Sequence, residues 1–151
     1  MANGQGDTFQ NLQHRILDRL IEVRGSIAPT YADLSISAAR REFERVLIEM
    51  RRYFGHRDES SYRDFLARWM AIRTGHGDTP EGFVHTMVAI GEVAVQVAQQ
   101  VLPDDAPETN AFVRQIVKLN RIAARSVVDA LCGEWDVINA CLLYTSDAAD
   151  E

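Results

Sequence analysis

A helical protein can hold haem or an iron centre on one well-placed histidine, so the four histidines are the first residues to test for chemistry. At about 100° of turn per residue, Phe83, Met87, Ile90, Ala94, Val97, Ala98 and Val101 gather on one side of the segment that carries His85. His85 falls roughly opposite, among Ala89, Glu92 and Gln96. A haem-ligating histidine points into an apolar pocket, so this pattern predicts that His85 faces water. His14 lies at the edge of an apolar stripe and reads as a half-buried packing histidine. His56 and His76 stand in turns beside glycine, where a solvated ring is the default. No pair of His, Cys or carboxylates has the spacing of H-E-x-x-H or C-x-x-C, so neither a metal site nor a cofactor is expected. Phosphotransfer through an exposed His85 is a further alternative. The third position after it is Val88, where such domains typically offer lysine.

Nucleophilic catalysis has no foothold. There is no G-x-S-x-G elbow and no Gly-rich loop between a strand and a helix, so the chain is read as non-enzymatic. Gly75-His76-Gly77-Asp78 precedes a helix start, a place that can bind anions. Asp78 and Glu81 oppose that, and the run reads as a helix stop followed by a cap. Arg40, Arg41, Arg45, Arg51, Arg52 and Arg57 interleave with Glu42, Glu44 and Glu49 and read as a solvated helix face. The aromatics Tyr53, Phe54, Tyr62, Phe65 and Trp69 crowd around one turn and read first as core. Tyr53, Phe65 and Trp69 are the residues that could line a small ligand pocket between helices.

Five helical segments position these residues, and no segment reads as a strand, so the fold class is all-α. The first runs from about Thr8 to Ile27, with Phe9, Leu12, Ile16, Leu20, Val23 and Ile27 on one face. The second spans about Ile36 to Phe54, where Arg40 with Glu44 and Arg45 with Glu49 have the spacing of surface ion pairs. The third spans about Glu59 to Thr74 behind Asp58 as N-cap. The fourth starts with Thr79 as cap and Pro80 in the first turn and runs to about Leu102. Pro103 to Pro107 is a stiff polar connector. The fifth segment, about Glu108 to Ala140, would extend about 50 Å as one helix. Two helices joined near Cys132-Gly133 are the alternative. Val127, Leu131, Trp135 and Ile138 keep its stripe apolar past the length a compact bundle needs, which predicts a dimer contact and signal relay. The alternative is a segment that folds back, making them ordinary core.

The chain has 151 residues, 46% hydrophobic and 25% charged, enough for one packed domain. Its last eleven residues, Cys141 to Glu151, resemble the translation of a transposase sequencing adapter and are expected to be a scar. The chain before it is then expected to have been cut near Ala140. The scar holds Asp147, Asp150 and Glu151 and no Lys or Arg, so the remainder carries a net charge of −3 rather than −6. That lacks the basic footprint of a general nucleic-acid binder. Cys132 alone cannot form an internal disulfide, which suits a reducing, cytoplasmic compartment. No run approaches the roughly 18 apolar residues of a membrane span. Residues 1–7 read as a disordered lead-in, 8–126 as the helical domain, 127–140 as the start of a linker helix and 141–151 as the scar.

The run Phe65-Leu66-Ala67-Arg68-Trp69-Met70-Ala71-Ile72-Arg73, a Gly turn, and Thr79-Pro80-Glu81-Gly82-Phe83 opening an apolar helix resemble the N-terminal domain of the RsbT co-antagonist (RsbR-type) family. The polar connector and long exit helix agree with it, and the likeness covers roughly Thr8 to Ala140. The resemblance implies a globin-like fold without haem, a homodimer, and a sensory role in bacterial signal transduction. It also implies a following output domain, commonly a STAS domain in stressosomes. Two other classes stand beside that expectation: a haem- or gas-binding globin sensor, and a stand-alone helical binding or phosphotransfer protein.

Overall fold

The computed structural model describes the backbone of residues 4–149 and the side chains of residues 4–133. Among the described residues there is no strand, and the protein is an all-α bundle, as the periodicity predicts. Its elements are α1 (Gly4–Glu22), α2 (Arg24–Ile27), α3 (Pro29–Ala32), α4 (Ile36–His56), α5 (Glu59–Gly75), α6 (Pro80–Val101) and α7 (Pro107–Ala149).

Local chemistry sets most of the boundaries. The Ser61 N–H donates to Asp58 Oδ1 (3.1 Å) at the start of α5, and the Gly82 N–H donates to Thr79 Oγ1 (2.9 Å) at the start of α6. Ser35 does the same for α4, accepting from the Ala38 N–H (3.2 Å). Each cap satisfies a backbone donor that has no partner within its helix. Pro80 and Pro107 occupy first-turn positions, where the missing N–H is no loss. The Thr109 hydroxyl donates to the Pro103 carbonyl (2.9 Å) and closes the connector before α7.

Three expectations need correction here. The first segment is not one helix: it breaks at Val23 and reaches Ile27 as the short turn α2. Gly25 weakens the helix there. Arg24 braces the break, donating from Nη1 to the Ile21 oxygen (2.8 Å) and from Nε to the Leu34 oxygen (3.2 Å) in the connector before α4. Gly4 to Asp7, read as lead-in, belong to α1. A Cβ on Gly6 would lie 3.1 Å from the Gly55 Cα, a tight approach of the two backbones that a side chain at position 6 would have to push apart by a few tenths of an ångström. Thr8 Oγ1 also donates to Glu108 Oε1 (2.7 Å), tying α1 to α7. Finally, the predicted ion pairs of α4 take other partners. Arg40 reaches Asp18 on α1 (3.8 Å), and Glu49 takes Arg52 (3.1 Å).

α1 lies against α4 and α6, and α6 lies against α7. Phe9, Phe54 and Phe112 form a triangle with ring centroids 4.9 to 5.9 Å apart, joining α1, α4 and α7. A second run of rings crosses α4, α5 and α6 through Tyr53, Tyr62, Phe65, Trp69 and Phe83. Tilted and offset rings at these separations pack favourably beyond their buried area.

Candidate functional site

Two places carry more than routine packing: a buried charge cluster at the end of α5, and the outer face of α7. Arg73 sits in the last turn of α5 and is only 7% exposed. Its Nε donates to Asp78 Oδ2 (2.7 Å), and its Nη2 donates to the Thr30 hydroxyl (2.5 Å). Glu42 Oε1 lies 3.9 Å from Nη1 and also accepts the Trp69 indole N–H (2.8 Å). The guanidinium carbon stands 4.4 Å over the Tyr31 ring. Burial pulls the Arg73 pKa down. The hydrogen bond to Asp78 and the nearby Tyr31, Asp78 and Glu42 push it up, and the net shift is upward. Burial raises the Tyr31 hydroxyl well above its ordinary range, with Arg73 acting in the opposite direction.

This cluster clasps α3, α4, α5 and the α5–α6 turn to one cation. Asp78 and Glu42 are therefore more than a helix-start acid and a solvated surface residue. The sequence signal was Arg73 itself, a charge on the same side of α5 as Tyr62, Phe65 and Trp69. A cation at a core position calls for buried anions nearby. Its anions come from positions 42 and 78, and periodicity within α5 does not point to them.

The proposed pocket residues are brought together, but as packed core. Tyr53, Tyr62, Phe65 and Trp69 follow one another at ring-centroid separations of 5.7 to 6.1 Å. Phe65 and Trp69 are buried in that ladder, so it is not a cage around a ligand. Tyr53 alone of the three borders open surface, at the wall of clefts beside α5. Burial raises the Tyr62 pKa, and its hydroxyl has no hydrogen-bond partner among the described residues.

The histidines are all at the surface. His85 is exposed, as its helical position predicts, and so are His56 and His76. The His14 side chain is 80% exposed and lies 3.3 Å from Asp18, which corrects its reading as a half-buried packing residue. Among the described residues no group of three or more His, Cys, Asp or Glu converges as metal ligands. No described helix is long and apolar enough to cross a membrane.

α7 is one continuous helix of 43 residues, about 64 Å long at 1.5 Å per residue. The alternative break at Cys132-Gly133 does not occur. The relay residues divide. Val127 is buried in the bundle's own core, which corrects its reading as a dimer contact. Leu131 is 46% exposed, on the same face of α7 as Val128 at 55% and Val117 at 44%. Val117, Ala124, Val128 and Leu131 are spaced by seven, four and three residues, the register of a coiled-coil seam in which Arg121 takes the position between Val117 and Ala124. In the sequence the register continues through Trp135 and Ile138, whose side chains lie outside the described residues.

Comparison with protein-family models, with curated proteins and with solved structures finds no match for this chain.

Proposed function

We propose that this protein is a non-enzymatic sensory and dimerisation domain of bacterial signal transduction, of the RsbT co-antagonist kind, with a globin-like bundle that binds no haem. It acts in the cytoplasm as a homodimer. α7 carries the signal to an output domain, a STAS or other signalling module. The mechanism is a bundle with two packings, one of which a signal favours, with the exit helix reporting which is populated.

The observation that carries this reading is the face of α7. An isolated bundle needs apolar residues on one side of its last helix, and Phe112, Ile116, Leu119, Ala123 and Val127 supply that side. Val117, Val128 and Leu131 form a second apolar row that the bundle leaves uncovered. Apolar surface in heptad register is favourably removed from water by a second copy of the same helix. A haem sensor gains no support, since His85 is exposed on the outer side of α6.

Light scattering behind size-exclusion chromatography tests the proposal on the full chain. A dimer is expected, and Val128→Asp with Leu131→Asp is expected to convert it to a folded monomer. A wild-type protein that stays monomeric at high concentration would end the dimer reading.

A further inference from the structure

A cleft of about 510 Å³ opens between α5 and α7. Lys118, Arg121 and Arg125 of α7 line it together with Arg63 of α5, and Glu59 is the one acid on its wall. Ile122 and Tyr53, both buried in the core, contribute apolar wall. The net lining charge is strongly positive in a chain whose overall charge is −6. Lys118 is also the chain's single lysine.

The three α7 cations stand at positions i, i+3 and i+7, on one side of the helix. None of them has a hydrogen bond or ion pair among the described residues, which is also true of the exposed Arg15, Arg41, Arg45, Arg68 and Arg114; the three are set apart by lining one cleft together with Arg63. Arg121 and Arg125 are like charges four residues apart, an arrangement that destabilises a helix. Arg63 spends Nη2 on Glu59 (2.9 Å), yet its Nε is buried with no partner. The three α7 cations are solvent-exposed and carry the mild repulsion of like charges on one helix face, which an anion in the cleft would relieve.

We propose that the α5–α7 cleft is a binding site for a small anion bearing two or more phosphoryl groups. Guanidinium groups match phosphate oxygens with paired N–H donors. The volume falls within the range of small-molecule pockets, about 300–1,000 Å³. The α7 row spans only about 10 Å along the helix. That is the reach of a few linked phosphates, and it is too short to track a nucleic-acid backbone. Two sources share this chemistry, free polyphosphate and a nucleotide, and the Tyr53 and Ile122 wall offers a surface for the organic part of the second. Binding does not depend on the sensor reading. The further step, in which ligand draws α5 and α7 together and shifts the exposed seam, does rest on it.

Isothermal titration of the full chain at low salt with inorganic tripolyphosphate and with ATP tests the site. Saturable binding of tripolyphosphate at one site per chain is expected. Arg121→Gln with Arg125→Gln is expected to weaken it by about tenfold or more for each arginine, since hydrogen bonds to charged groups are worth about that factor. The same variant should melt no lower than wild type without ligand, because it removes repulsion. Arg15→Gln with Arg19→Gln, exposed on α1, makes the same change in net charge and should leave binding intact. Tighter binding of ATP, weakened by Tyr53→Ala, assigns the ligand to nucleotides, and equal binding assigns it to polyphosphate. Absence of binding, or an equal loss in the α1 variant, overturns the proposal. So does tighter, equally Arg121- and Arg125-dependent binding of a single-stranded RNA. Light scattering with and without tripolyphosphate reads the seam separately, so a failure of dimerisation leaves the binding result standing.

Discussion

Replacing Arg73 with Met keeps much of the side chain's volume and deletes its charge. The loss can be worked from its contacts. The charged hydrogen bond to Asp78 is worth about 1.5–3 kcal/mol. The contact over Tyr31 adds about 0.5–2 kcal/mol. Asp78 and Glu42, with side chains 11% and 21% exposed, are then left without their cation. Removing one partner of a buried pair costs about 3–5 kcal/mol for that reason. A domain of this size is stable by only about 5–15 kcal/mol, so Arg73→Met should sit near the edge of folding at 25 °C. Urea unfolding followed by circular dichroism measures the change, read as a lower midpoint at constant slope. Adding Asp78→Asn should recover part of the loss, with a coupling of about 1–3 kcal/mol. High salt should restore little, since the pair is poorly exposed to screening ions. Arg19→Ala, which breaks an exposed pair with Glu22 (2.8 Å), is the control and should cost under about 1 kcal/mol. A loss at Arg73 no larger than that control would refute the clasp.

Two further outcomes follow from the core. Tyr31 and Tyr62 hold buried hydroxyls without hydrogen-bond partners among the described residues, so Tyr62→Phe should leave stability unchanged or raise it by about 1 kcal/mol in urea titrations. Their raised native pKa values mean that the folded state keeps these protons to higher pH than the unfolded chain does. Their contribution is complete below about pH 10, the unfolded value, and fades as pH rises through the range above it. The slope is about 1.4 kcal/mol per pH unit for each tyrosine, and Tyr31→Phe with Tyr62→Phe should flatten it. Gly91 is a second probe. A Cβ there would stand 3.0 Å from side-chain atoms of Asn120 and Ile116. Gly91→Leu should therefore push α6 from α7 and lower stability by about 1–3 kcal/mol or more, as overpacking does. A melting temperature unchanged by that substitution would show that the two helices are not in close contact.

Much of the fold was legible because its signals are local. Asp58, Thr79 and Pro80 act on backbone groups within one turn, so the starts of α5 and α6 follow from their residue types. The stripe of α6 already placed His85 on the outer side. Legibility failed where the deciding partner is distant. The two readings of the last segment depended on the same stripe, and only the continuous backbone of α7 separates them. Val127 and Leu131 share that stripe, yet one is 4% exposed and the other 46%, because the bundle beneath α7 covers the first and leaves the second uncovered.

By itself the sequence determined the all-α class, the main helices, their apolar faces and most of their caps. Those features rest on a 3.6-residue period and on hydrogen bonds that reach no further than four residues. Tertiary structure alone decided which charges meet. It placed Glu42 and Asp78 on Arg73, paired Arg40 with Asp18, set Gly6 against Gly55, and turned Arg63 toward the same cleft as Lys118, Arg121 and Arg125. These juxtapositions join residues from separate helices. Electrostatic and packing energies depend on separation in space, and the order of residues along the chain does not contain that separation.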